Sequence, residues 1–296
     1  MGCIIIKPYL IAKKIVVYFV KRVLHGSHYK FLLKLILKIQ KLSYFLEYSA
    51  ASNKLENFQI QNRIIDMKNK FTPIKHSLTL KRIGSNNDGG YFVYDLFNKE
   101  SVLISGGLSN NVDFEEALLS VINKAFLIDF SVKDPNLGYK NYNFYKKRIS
   151  IEKGRNRINL NHIIDRVNTS SVTLKLDIEG DEWACLNNLT ESNLNKFEQI
   201  VIEFHNNFEI VNDESYKLHK SVLDKLLSNF NLVNSNVNNF GCVTFVSGEL
   251  YFDVVETTWL RKDLYNKVNK SNNFENNLTK QNNPYYPSIP NSIFLS

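Results

Sequence analysis

From about Phe71 onward the chain alternates short β-rich runs with helical stretches, and this order predicts a mainly parallel sheet covered by helices. The runs are Val102 to Ile104, Ala125 to Asp129, Arg148 to Ile151, Val172 to Asp177 and Gln199 to Phe204. Candidate helices lie between them at 113–123, 160–167, 181–189 and 215–229. Two further runs, Asn231 to Val237 and Tyr251 to Leu260, close the ordered part. The tail from about Asp263 is rich in Asn, carries Pro284, Pro287 and Pro290, and is expected to wrap the surface or stay loose.

In a doubly wound sheet, ligands bind outside the carboxyl ends of the strands, so polar residues that end apolar runs mark the site. Four runs end this way: in Ser105-Gly106-Gly107, in Asp129, in Asp177-Ile178-Glu179-Gly180, and in Glu203-Phe204-His205. Gly106 and Gly107 allow close backbone approach to a nucleotide-type ligand, although a tight turn would need them too. Asp129 lies 22 residues after Gly107, where a carboxylate can accept both hydroxyls of a ribose. Asp177 and Glu179 would share a face in an extended chain. There they can position a hydroxyl, act as a base or bind a divalent cation; alternatively Asp177 only caps the next helix, with Asp181 and Glu182 favouring its N-terminus. His205 is a natural base near neutral pH, against the commoner fate of a hydrogen-bonded structural histidine.

The formal charge of +8 is unevenly placed. Residues 1–54 hold ten Lys or Arg and one acid, so that segment is +9 and the remainder is −1. A near-neutral body argues against broad phosphate-backbone binding, and hence against a nucleic-acid partner. Stretches 9–24 and 29–47 place lysines on one side of a helical wheel and apolar residues around the rest, separated by His25-Gly26-Ser27-His28. Lysines interrupt both too often for a membrane span. The pattern fits a pair of amphipathic helices on an anionic membrane surface, or helices packed on the body or another subunit with a solvated lysine stripe. The three cysteines, Cys3, Cys185 and Cys242, form no CxxC pair and no zinc spacing, which points to a reducing, cytoplasmic setting, peripheral to a membrane's inner face on the first reading.

The motif series resembles the FkbM-type branch of S-adenosylmethionine-dependent methyltransferases. The segments carrying it are KRIGSNNDGGYFVYD (81–95), VLISGGLSNNVDFEEAL (102–118), AFLIDFSV (125–132), LKLDIEGDEWACL (174–186), QIVIEFH (199–205), LVNSNVNNFG (232–241) and DVVETTWLRK (253–262), over about 180 residues. The most specific is LKLDIEGDEWACL, which looks like that family's Lys-(Ile/Leu)-Asp-x-Glu-Gly-x-Glu block. The resemblance implies a class I methyltransferase fold, with a seven-stranded sheet and one reversed strand, as a domain over 70–262. It implies S-adenosylmethionine under Ser105, Gly106 and Gly107, its ribose on Asp129, and an acceptor bordered by Asp177, Glu179, Glu203 and His205. It also implies that the turn Asp88 to Tyr91 helps to close the pocket, and that the acceptor is a sugar hydroxyl of a surface glycan or glycolipid.

Two departures stand out. Ser105-Gly106-Gly107-Leu108-Ser109 has no acid where the superfamily carries one before Gly-x-Gly, leaving Asp113 or Glu115 as substitutes. Ser235 to Asn239 lacks a histidine that relatives often carry before the Asn-Asn pair. No residue is assigned to a metal; a divalent cation stays open. Methylation of a small metabolite, lipid or protein, or a binding scaffold that has lost the cofactor, are the rival readings.

Overall fold

The computed structural model describes residues 54–74, 79–152, 154–264, 282–285 and 289. The two N-terminal amphipathic stretches and most of the Asn-rich tail lie outside them. The chain divides into two compact units, Met1–Phe58 and Gln59–Ser296, and the second holds the sheet. Among the described residues no helix is long and apolar enough to cross a membrane.

In chain order the elements are α1 (Lys54–Lys70), β1 (Leu80–Gly84), β2 (Gly90–Tyr94), β3 (Val102–Gly106), α2 (Asp113–Leu119), β4 (Lys124–Ile128), β5 (Tyr142–Tyr145), β6 (Arg148–Ile149), β7 (Arg157–Ile158), α3 (Leu160–Ile164), β8 (Val172–Leu176), α4 (Glu182–Asn188), α5 (Glu191–Leu194), β9 (Phe197–Phe204), a 3-10 turn (Asn207–Val211), α6 (Asp213–Asn229), β10 (Phe230–Val237), β11 (Val243–Val246), β12 (Glu249–Phe252) and β13 (Val255–Arg261). Seven strands form one sheet in the order β10-β13-β9-β8-β3-β4-β5. Only β13 is reversed; it pairs antiparallel with both β9 and β10. This is the class I methyltransferase strand order. The chain leaves β3 towards β4 and β5, then returns to build β8 and β9 on the other side. Strand order therefore reverses between β3 and β8, the point at which open α/β sheets bind ligands in the crevice outside their carboxyl ends.

Strands β3 and β8 are buried along their whole length, as expected of central parallel strands covered on both faces. On one face Leu103, Leu127 and Val201 meet Phe114, Leu118 and Leu119 of α2. Elsewhere Phe71 packs edge-on against Trp183, Phe204 and Phe252. Ile60, Ile64 and Met67, at helical spacing in α1, are buried with it. The antiparallel pair β1–β2 is tied to the sheet by Gln199, whose side chain bonds both the N–H and the carbonyl of Tyr94 (3.2 and 3.0 Å). Asn212 caps α6 by accepting from the Glu214 and Ser215 N–H groups, so this helix starts ahead of the expected 215.

Two expectations are corrected. Arg148 to Ile151 is not the third sheet strand; that place is taken by Tyr142–Tyr145, while Arg148–Ile149 pairs only with Arg157–Ile158. An edge strand is half-solvated, so its aromatic, alternating sequence lacks the continuous apolar run that marks the inner strands. The run from Tyr251 to Leu260 is two elements. Its first two residues end a hairpin turned at Ser247 and Gly248, both at positive φ, and only Val255–Arg261 enters the main sheet.

Candidate active site

At the point where strand order reverses, the glycines pack against protein. Gly107 has φ +81°, and a Cβ built on it would lie 1.6 Å from the Asp177 carbonyl oxygen, so it lets the loop after β3 touch the backbone after β8. A Cβ on Gly106 would meet Ile149 Cδ1 at 2.3 Å, which means that β6 covers this residue. Ser105 is fully buried and donates to Glu115 of α2. Ser105 and Gly106, expected beneath a cofactor, thus make core contacts on these sides. Buried Lys175 of β8 holds this corner together. Its Nζ donates to the Gly107 carbonyl, stands 4.0 Å from Glu115 and 3.9 Å from Asp177, and lies 5.1 Å from the Tyr91 ring centroid.

Asp129, ending β4, has its carboxylate fully engaged. One oxygen accepts from the Leu108 and Ser109 N–H groups (2.8 and 3.1 Å), the other from the N–H and hydroxyl of Ser131 and the Val132 N–H (2.6, 2.8 and 3.3 Å). Burial pushes its pKa up, but the bonds from Ser131, Ser109 and Leu108 outweigh this and hold it below the usual aspartate value. Phe130, next in sequence, is 55 % exposed, and the Arg148 guanidinium lies 5.8 Å from its ring. Arg148 also pairs with Asp181 at 2.6 Å, bridging the ends of β4 and β8.

The ends of β8 and β9 bring four expected residues together. His205 Nε2 is 3.5 Å from Glu203 and 4.0 Å from both Asp177 and Glu179. Asp177 and Glu179 do not share an extended face. The strand ends at Leu176, and Glu179 takes a left-handed conformation (φ +62°) with its side chain 88 % exposed. It reaches His205 from the solvent side, whereas Asp177 accepts a 2.9 Å bond from the Tyr91 hydroxyl inside. The β1–β2 hairpin thus contributes to the site through Tyr91.

Glu182 is the residue that sequence reasoning placed only as a helix-end charge. It is wholly buried, accepts from the Ile178 and Gly180 N–H groups (2.7 and 3.0 Å), and lies 3.1 Å from His205 Nδ1. Its signal was the final Glu of the LKLDIEGDE block. Trp183 donates from Nε1 to the His205 carbonyl (2.8 Å), so the histidine is held at ring and backbone. Asn238 of the closing segment donates to Glu203 (2.8 Å). Beside it, Asn282 and Asn283 of the tail are buried, bonded to Glu256 and Asn239, so this part of the tail is pinned rather than loose.

Burial alone would lower the His205 pKa, but Glu182, Glu203 and Asp177 outweigh it and hold the imidazole well above its ordinary value. Burial and the neighbouring Asp177 push Glu203 up.

Trp183 also stacks on His219 of α6, with ring centroids 3.8 Å apart. Burial lowers the His219 pKa to about 3, and its Nδ1 has no partner among the described residues. A histidine neutral in the fold and protonated when unfolded costs stability once pH falls below the unfolded value of about 6.5. Between pH 6.5 and 5 this amounts to about 2 kcal/mol. His219→Phe, which keeps the ring, should flatten the fall in melting temperature over that range in thermal scans; an unchanged pH slope would refute the assignment.

Comparison with known proteins gives only remote likenesses. No protein-family model and no curated protein matches the sequence. Among solved structures, an rRNA methylase from Streptococcus thermophilus aligns at 10 % identity over 56 % of this chain and 90 % of its own, TM-score 0.34. A fibrillarin/Nop5p complex aligns at 13 % identity over 55 % and 73 %, TM-score 0.34. A candidate methyltransferase from Streptococcus mutans in complex with SAH aligns at 13 % identity over 55 % and 90 %, TM-score 0.32.

Asp129 and its surroundings are the candidate holders of a nucleoside-bearing cofactor. Asp129 ends the second strand of the sheet's first half, exposed Phe130 adjoins it, and the Leu108 and Ser109 backbone turns towards the same carboxylate. The carboxylate is saturated, and a ribose diol would reach it only by displacing donors already bound there.

Proposed function

We propose that the chain is an S-adenosylmethionine-dependent methyltransferase acting on a hydroxyl oxygen. The observation carrying this reading is the reversal of strand order between β3 and β8. It sets Asp129 at the end of β4 and the Asp177, Glu203 and His205 group at the ends of β8 and β9, on either side of the reversal. When bound, the cofactor supplies an electrophilic methyl group. The chain's own residues do the rest. Asp129 and Phe130 form the nucleoside side, and Asp177 and Glu203 are the groups within reach to take the acceptor proton. His205, held by Glu182, orients them, so that much of the rate comes from positioning. A sugar acceptor in a surface glycan or glycolipid is suggested by the resemblance of LKLDIEGDEWACL and QIVIEFH to the FkbM-type branch. The +9 charge of residues 1–54 suits an anionic membrane surface carrying such lipid-linked acceptors.

One observation favours a second reading, a binding protein on a methyltransferase fold without catalysis: the Asp129 carboxylate already holds five donors. Calorimetric titration of S-adenosylmethionine into the full chain separates the two. Micromolar binding, weakened at least about tenfold in Asp129→Asn by loss of charge-assisted bonds, is the result expected of the enzyme. Absence of heat from a folded protein would leave the binding-protein reading. If binding is seen, sugar, lipid, metabolite and protein acceptors can be screened with label transfer from the cofactor as readout.

A further inference from the structure

The cluster around His205 has the construction of a metal centre. We propose that Asp177, Glu203 and His205 bind a divalent cation of the Mg²⁺ or Mn²⁺ class. One ligand atom from each residue lies within 4.8 Å of the other two, and His205 Nε2 stands 3.5 Å from Glu203 Oε1 and 4.0 Å from Asp177 Oδ1. Ligands held at about 2.0–2.2 Å from a small divalent ion stand roughly 3–4 Å from one another, so the widest pair need draw together by about 1–2 Å.

Orientation distinguishes this cluster from a chance meeting of acids. A ligating histidine usually has its second ring nitrogen held by a carboxylate, which fixes the tautomer and turns the free lone pair to the metal. Glu182 does this at Nδ1, 3.1 Å away, and is itself locked by the Ile178 and Gly180 N–H groups. The Tyr91 hydroxyl holds Asp177 by Oδ2, leaving Oδ1 facing His205. Asn238 steadies Glu203. Each ligand thus has its own support on a different element, which is what a preorganised centre requires and what an acidic surface patch lacks.

Charge points the same way. Glu182, Glu203, Asp177 and Glu179 surround one imidazole. The nearby cation, Lys175, lies 3.9 Å from Asp177 but donates to the Gly107 carbonyl beside Glu115. A dication bound among these carboxylates offsets their charge. Two carboxylates with one imidazole, and no thiolate, form a hard, oxygen-dominated set. Three protein ligands leave positions open towards the solvent side, where Glu179 lies, and these suit hydroxyl oxygens of a substrate. Cation binding does not depend on the methyl-transfer reading, because it is measured without cofactor or acceptor.

The test is Mn²⁺ titration of the full chain, monitored by electron paramagnetic resonance, with pulsed detection of nitrogen coupling. One Mn²⁺ per chain is expected, with imidazole nitrogen modulation that disappears in His205→Gln, and competition by Mg²⁺. Asp177→Asn should weaken binding at least tenfold, and Glu182→Gln, which touches no metal, by about 10- to 100-fold. Circular dichroism checks that each variant is folded. Wild-type protein that is folded yet binds no Mn²⁺ at about 1 mM, a weak limit for a three-ligand site, would overturn the proposal. So would bound Mn²⁺ lacking nitrogen coupling, or affinity unchanged in Asp177→Asn. Failure of the cofactor titration alongside normal Mn²⁺ binding would sink the methyltransferase reading alone.

Discussion

Replacing Lys175 with methionine is expected to destabilise the fold by about 3–5 kcal/mol, because it removes one partner from a buried charged group. Lys175 is buried in the central strand β8 and lies beside Glu115, which is also buried and otherwise bonded by Ser105. Burial pushes the Glu115 pKa up and Lys175 pulls it down. Without the lysine the carboxyl would rise further and be neutral in the fold over a wider pH range. A carboxyl whose folded pKa is raised stabilises the fold at low pH and loses that contribution as pH rises through the folded value. The damage should therefore be greater at pH 8 than at pH 5. Urea midpoints at both values check this, and Glu115→Gln in the Lys175→Met background should recover part of the loss. Independent, additive effects of the two changes would show that the pair is not coupled.

Gly107→Ala should be nearly as damaging, by about 3 kcal/mol or more, with Gly248→Ala as its measure of strain alone. The two glycines have almost the same φ, +81° and +85°, but a Cβ at Gly248 meets nothing within 4 Å while one at Gly107 meets the Asp177 carbonyl oxygen at 1.6 Å. The left-handed conformation costs a non-glycine residue about 1–2 kcal/mol at either site. Only at Gly107 must the backbone after β8 also move, carrying Asp177 away from Tyr91 and His205. Denaturant curves should separate the variants by at least about 1 kcal/mol, and equal losses would show that the close approach is not maintained in solution.

The inner strands and most of the site were legible because they combine a local pattern with a positional rule. Continuous apolar runs ending in Asp129, Asp177 and Glu203-Phe204-His205 can satisfy their backbone only as central strands, and such strands present their last residues at the crevice. Tyr142–Tyr145 was hidden because an edge strand needs no such run. The α1 helix was also within reach of the sequence: Ile60, Ile64 and Met67 keep helical spacing, and they are buried.

Sequence alone therefore determined the alternation and the set of carboxylates brought to the strand ends, since these depend on periodicity and on residues adjacent in the chain. Tertiary structure decided what each does. Whether Asp129 is open or saturated depends on Leu108 and Ser109, some 20 residues away. How His205 is held depends on Glu182, Glu203 and Asp177 converging from two strand ends and a helix. Charge interactions and hydrogen bonds act through distance in space, and no local pattern encodes the close approach of β3 to β8 that brings these groups together.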